Sequence, residues 1–254
     1  MNPSRQILGV RVDATSYQDA ARQVLAWALR RESRYVCCAC VSTIMHAHDS
    51  AEFRNVVAQA DLVTSDGMPL VWLLRSLGVR DATRVYGPDL VPVILQAAAD
   101  AGVPVGFHGA REAVLKDLLR RIRTRFPNID IAYAESPPFR AVTPEEDRQI
   151  TDAISRSGAR ILFLGLGTPK QDRWMHAHRG RVPAVMLGVG AAFDFLAGAK
   201  PQAPPWIRRA GLEWLFRLAT EPRRLWRRYL GENPRFAFLA LAQLLRERFT
   251  RAPI

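Results

Sequence analysis

Residues 159–180 read ARILFLGLGTPKQDRWMHAHRG, and the fold is decided there. Ile161–Leu164 is apolar at every position, without the polar alternation of a strand that has one wet face. Such a strand is buried on both sides, as in a parallel sheet covered by helices. It ends at Gly165 and Gly167, and a helical pattern opens at Pro169.

The same strand–glycine–helix unit recurs in both directions. VPAVMLGVG (182–190) is followed by AAFDFLAG (191–198), and VPVGFHGA (103–110) by REAVLKDLLRRIRTRFP (111–127). RYVCCACV (34–41) precedes a helical pattern over 42–60 with Ser42 as its cap, and DLVTSD (61–66) precedes GMPLVWLLRSLG (67–78). DLVPVILQAAADAG (89–102) is helical, IDIAYAES (129–136) is a strand, and TPEEDRQITDAISRSG (143–158) starts with a Thr cap and an acidic first turn. The alternation predicts an α/β fold: a parallel sheet with helices on both faces.

Ligands of such sheets bind at the carboxyl ends of the strands. Glycines at those ends, here Gly109, Gly165, Gly167 and Gly190, let backbone N–H groups approach a phosphate beside a helix N-terminus. This points to a nucleotide-type ligand. GLGTPK lacks the GK[ST] ending of a Walker loop and departs from GxGxxG at its sixth position. The chain also lacks a full GxGxxG with an acid at the usual distance, which weighs against a nicotinamide oxidoreductase.

The formal charge of +12 is uneven: residues 200–254 hold 12 Lys/Arg against 4 Asp/Glu, a net +8. The small-residue and Pro-rich stretch AGAKPQAPPW (197–206) separates a core over 1–199 from a basic helical appendage over 200–254, with breaks expected at Pro222 and Pro234. In the appendage Arg217, Arg224 and Arg227 fall on one helical face, flanked by Arg223 and Arg228 and interleaved with Trp206, Trp214, Trp226 and Tyr229. Arginine with tryptophan suits a membrane interface. No nucleic-acid motif is present, so an anionic membrane surface is the expected acidic partner and nucleic acid is not. The opening MNPSRQILGVRVD has no long apolar core, and no stretch reaches the ~18 apolar residues of a span. The expectation is a cytoplasmic protein, peripheral on the inner face of the cell membrane, whose apolar tail can self-associate as a homo-oligomer.

VTSDGMPLVW (63–72) sets Asp66 at a strand end, either as a helix cap or as a general base. Cys37, Cys38 and Cys40 lie near His46 and His48, but alternate cysteines on a strand and histidines two apart on a helix diverge, so buried thiols are expected rather than a metal site. No Asp has another Asp two residues later, so a diphosphate would be neutralised by arginine. His108, His176 and His178 are reserve acid–base groups.

Five stretches together resemble the WecG/TagA/CpsF family of bacterial glycosyltransferases: ADLVTSDGMPLVW (60–72), RVYGPDL (84–90), FLGLGTPKQDRWM (163–175), GVGAAFDFLAG (188–198) and APPWIRRAGLEWLFRLATEPRRLWRRYL (203–230). The resemblance implies a Rossmann-like α/β core and metal-independent, inverting transfer of a sugar from a UDP-sugar to a polyprenyl-diphosphate-linked acceptor, in cell-surface polysaccharide synthesis and without a cofactor. It implies Asp66 as base, with Ser65 where relatives carry Pro. It implies a pocket lined by Gly165, Gly167, Pro169, Lys170 and Gln171, and a site completed by Arg217, Arg224 and Arg227. Relatives carry Thr-x-Asn where this chain has Cys38-Ala39-Cys40, so contacts there are altered. That departure keeps open an alternative, a non-catalytic nucleotide-sugar or membrane-surface binding subunit.

Overall fold

The alternation read in the sequence folds into one eight-stranded sheet, and a computed structural model describes residues 3–251. Its elements are β1 (Ser4–Ile7), β2 (Val10–Asp13), α1 (Tyr17–Leu29), β3 (Arg34–Ala39), α2 (Val41–Asp49), α3 (Ala51–Ala58), β4 (Leu62–Ser65), α4 (Met68–Ser76), α5 (Gly87–Asp100) and β5 (Val105–Gly109). There follow α6 (Glu112–Arg125), β6 (Ile131–Glu135), α7 (Pro144–Ser157), β7 (Ile161–Gly165), α8 (Lys170–His178), β8 (Val185–Gly188), α9 (Ala192–Leu196), α10 (Pro205–Arg209), α11 (Glu213–Thr220) and α12 (Pro222–Arg251).

The strand order is β1-β2-β4-β3-β8-β7-β5-β6, parallel throughout except the β1–β2 hairpin. Residues of β3 alternate between the two faces. Tyr35, Cys37 and Ala39 join the core under α2, α3, α4, α7 and α8, while Val36 and Cys38 join the core under α1, α5, α6 and α9. The chain runs from β3 to β4 on one side of the sheet and brings β8 back on the other. The connections therefore diverge at the carboxyl ends of β3 and β8, where open α/β sheets leave a crevice.

Four local expectations are corrected. The helix expected over 42–60 is two helices, because Ser50 is extended (φ −129°) and its Oγ caps α3 by accepting from Phe53 N at 3.2 Å. Ser42 does not cap α2: the helix starts at Val41 behind Cys40, whose N–H donates to Thr43 Oγ1 at 3.2 Å. The β1–β2 hairpin and α1 were not expected. The hairpin turns at Leu8 (φ 49°) and Gly9 (φ 82°), the positive-φ pair of a two-residue turn. Finally, Pro222 does begin a helix, but Pro234 breaks nothing. It costs one backbone hydrogen bond, while Arg235, bonded to Asp49 at 2.6 and 2.7 Å, and buried Phe236 hold the helix on its far side.

The C-terminal helices pack on the core rather than standing off it. Arg208 pairs with Asp89 of α5 at 2.6 Å, and Gln243 accepts from Leu8 N at 2.9 Å at the hairpin turn. Phe236 and Ala240 belong to one of the two core clusters.

Gly109 serves the sheet, not the crevice. Its φ is +127°, and a Cβ there would stand 2.7 Å from the backbone carbon of Gly165 on the neighbouring strand. Gly109→Ala should destabilise the protein by about 2–4 kcal/mol, read as a lower urea midpoint with an unchanged slope.

Candidate active site where two cavities meet

β4 ends at Ser65, and the main chain is held one residue further by the bond from Asp66 N to Ala39 O at 2.9 Å. Ser65 Oγ donates to Thr83 O at 2.9 Å, and Val85 N donates to Ser65 O at 3.0 Å, so the segment ahead of α5 runs beside the strand end. Asp66 does not cap α4, whose N-cap is Gly67 with no side-chain bond. Its Oδ2 instead accepts from Gly87 N at 3.0 Å, at the first turn of α5, where unpaired N–H groups favour a negative charge.

The other oxygen has a weaker neighbour. Arg84 Nη2 stands 3.9 Å from Asp66 Oδ1, too far for a hydrogen bond. That nitrogen is bonded to Glu213 Oε2 at 2.8 Å, while Arg84 Nε donates to the Asp66 main-chain carbonyl. Glu213 also accepts from Tyr86 OH at 2.7 Å. Burial pushes the Asp66 carboxyl up to about 6, with Arg84 and the Gly87 N–H pulling partly the other way.

Two cavities, of about 400 and 380 Å³, meet at this carboxylate and share Cys40, Asp66, Arg217 and Arg228. The smaller is bounded by the turns after β7 and β8 and by Arg224. The larger runs between α4 and α12 along Met68, Trp72, Leu73, Phe236 and Ala240.

Gln171 ties the two glycine turns together. Its Oε1 accepts from Gly167 N at 3.1 Å and from Gly190 N at 3.0 Å. Those two amides are therefore spent inside the protein, which corrects their expected role as phosphate donors. Beneath them, Asp172 is buried against Thr168 and Cys37, and burial pushes its carboxyl up to about 6.

Among the expected residues, Cys38, Cys40, Gly165, Gly167, Gln171 and Gly190 line the smaller cavity with Arg217 and Arg224. Pro169 and Lys170 do not, and Lys170 is exposed at the start of α8. Arg217 and Arg224 do not share one helical face, because the chain turns between α11 and α12; they face the cavity from either side of that corner. Arg224 is already paired with Glu221, Nε to Oε2 at 2.7 Å. Arg217 is buried at Nε without a hydrogen bond, and among the described residues no acid pairs with it. Arg227 is exposed over Trp226 and lines neither cavity. Arg228 takes the inward place, its Nη2 reaching Cys40 Sγ at 3.4 Å. Trp214 and Tyr229 pack edge to face on the site side, so of the interleaved aromatics only Trp206 and Trp226 are exposed.

His108, His176 and His178 line neither cavity. His108 and His178 stack on Trp174, and burial pushes His108 down to about 4. Cys37 and Cys38 are buried on opposite faces of β3, and burial raises both thiols. Among the described residues, no three His, Cys, Asp or Glu side chains are grouped to hold a metal.

The profile of the glycosyl transferase WecG/TagA/CpsF family matches residues 5–250. The chain belongs to the WecG/TagA/CpsF family. A similar protein from Bacillus spizizenii (strain ATCC 23059 / NRRL B-14472 / W23), named N-acetylglucosaminyldiphosphoundecaprenol N-acetyl-beta-D-mannosaminyltransferase, is 32% identical over 187 residues, covering 73% of this chain and 70% of that protein. The chain is thus a glycosyltransferase.

Arg84, Tyr86 and Glu213 were not singled out from sequence, and Arg228 was read only as flanking the basic face. Arg84 and Tyr86 lie in RVYGPDL and Glu213 in the Trp/Arg-rich tail, but their pairing spans 129 residues and leaves no local pattern.

Two outcomes follow from the site. Gln171→Leu should leave both glycine amides unsatisfied and cost about 2–3 kcal/mol, with faster hydrogen exchange at Gly167 and Gly190. Because the folded-state value of Asp66 lies above its ordinary 3.8, the folded protein binds that proton more tightly than the unfolded chain, and stability is lost as pH rises from about 4 to 6. Asp66→Asn removes this loss, so at pH 7 it should melt no lower than wild type and gain on the order of 1–2 kcal/mol, whereas at pH 4 the gain should vanish.

Proposed function

We propose that this glycosyltransferase moves a sugar from a UDP-sugar to a hydroxyl of a polyprenyl-diphosphate-linked acceptor, with inversion and without a metal ion. The observation that carries the reading is the junction of the two cavities at a single carboxylate, Asp66. The cavity along the glycine turns takes the donor, and the apolar cavity between α4 and α12 takes the lipid side of the acceptor. Asp66 accepts the acceptor hydroxyl proton as the oxygen attacks the anomeric carbon, and the bond to the UDP oxygen breaks on the opposite face. One displacement inverts the centre.

The growing charge on UDP meets Arg217, which has no acid partner among the described residues, with Arg224 and Arg228 beside it. Preorganised cations aimed at a developing charge lower the barrier without reorganising. The relative's name makes N-acetylmannosamine the first donor to test. Cys38 and Cys40 border the donor cavity, so selection of the sugar rests partly on them.

No helix among the described residues is long and apolar enough to cross a membrane. Trp226, Leu230, Phe238, Leu241 and Leu245 of α12 are exposed, as is Trp206 of α10. With Arg223 and Arg227 nearby they form a surface suited to an anionic leaflet, each basic residue adding about 1 kcal/mol. This seats the enzyme on the inner face of the cell membrane, where its acceptor lies.

Asp66→Asn should abolish UDP release from UDP-N-acetylmannosamine in the presence of a prenyl-diphosphate N-acetylglucosamine acceptor, while UDP binding persists. For the wild type, kcat/KM should fall below a limb near pH 6 as the base is protonated. EDTA should leave the rate unchanged, and strong inhibition would contradict the metal-free reading. Trp226→Ala combined with Leu230→Ala should cut flotation with phosphatidylglycerol vesicles by about tenfold, on the order of 1.4 kcal/mol.

A further inference from the structure

Of the acids on α10, α11 and α12, Glu213 alone is buried among the described residues. Both its oxygens are used on the core: Oε2 holds Arg84 Nη2 at 2.8 Å and Oε1 holds Tyr86 OH at 2.7 Å. Arg84 and Tyr86 immediately precede Gly87, whose N–H fixes Asp66.

One guanidinium therefore stands between two carboxylates. Its Nε is tied to the Asp66 main-chain carbonyl, and its plane is stacked 4.0 Å from the centre of the Tyr86 ring. Its Nη2 is bonded to Glu213 and stops 3.9 Å from Asp66 Oδ1. A shift of about 1 Å would close that gap into a charge-assisted hydrogen bond. Glu213 is the group that prevents it. A carboxylate in a direct arginine pair is a poor proton acceptor.

We infer that Glu213 is a positioning residue: by taking Arg84 Nη2 it keeps the Asp66 carboxylate out of a hydrogen-bonded pair with that arginine. The inference rests on the reading of Asp66 as base.

The groups facing Asp66 define what a pH profile reports. Arg84 and Tyr86 approach from the segment before α5, the Gly87 N–H from its first turn, Glu213 and Arg217 from α11, Cys38 from β3 and Tyr17 from α1. Arg84, Arg217 and the Gly87 N–H favour the ionised carboxylate, while burial and Glu213 oppose it. Loss of Glu213 both removes an opposing charge and releases Arg84, and both effects push the acidic limb downward.

The test uses the full chain, with UDP-N-acetylmannosamine and a short-prenyl diphosphate N-acetylglucosamine acceptor, from pH 4.5 to 8.5. In Glu213→Gln and Glu213→Ala, the acidic limb of kcat/KM should move at least one unit below its wild-type position, and kcat at pH 7 should drop about tenfold. Placing Glu213→Gln in an Arg84→Gln background should move the limb far less. A limb that stays in place in both single variants overturns the inference, whatever happens to kcat, since a purely structural role lowers rate without moving it. An equal shift with and without Arg84 also overturns it, because the charge of Glu213 would then act alone. Asp66→Asn separates the two readings: near-normal turnover removes Asp66 as base, whereas a dead Asp66→Asn beside an unmoved limb removes only the role of Glu213.

Discussion

The site depends on one half-buried carboxylate that the protein declines to neutralise. Among the described residues the Asp66 carboxylate accepts one hydrogen bond, from the Gly87 N–H, and faces an arginine nitrogen held just out of bonding range. Removing a carboxylate from water is costly unless it is paired. The fold offsets part of that cost with the N-terminus of α5 and leaves the remainder as a raised proton affinity. Ser65, Thr83 and Val85 fix the strand end and the segment beside it, so the geometry does not relax.

Around that point the molecule divides its work between sheet and tail. β7 and β8 supply a tight pair of turns locked by Gln171, which shape a cavity rather than donate to it. Positive charge comes from the tail, through Arg217, Arg224 and Arg228. The same helices wall the apolar cavity and reach back to the β1–β2 turn through Gln243. Residues beyond 199 thus line both cavities as well as presenting an apolar outer face.

The parallel sheet was legible because its strands are continuous in apolar residues and end in glycine. The edge was not, because β1 and β2 are four residues each and their register is set by a two-residue turn. Ser16, whose Oγ accepts from Asp19 N at 3.0 Å, and Ala20, Ala21, Val24 and Ala28 were signals for α1 that strand ends drew attention from. Asp66, Gln171, Arg217, Cys38 and Cys40, each in a stretch with a pattern of its own, line one cavity. The spacing of Arg217, Arg224 and Arg227 suggested one face, but the chain bends between α11 and α12, and Arg228 rather than Arg227 lines the cavities. Arg84 and Glu213 were invisible for a different reason: their meaning is the contact between them, and they lie 129 residues apart.

The most direct test is a titration of the Asp66 side-chain carboxyl by ¹³C NMR in the full chain, using Asp66→Asn to assign the signal. A midpoint near 6 is expected of a buried carboxylate whose arginine is engaged elsewhere. A midpoint at or below the ordinary value of 3.8 would mean that Arg84 already pairs with it, and that the acid at this strand end is not kept free to accept a proton.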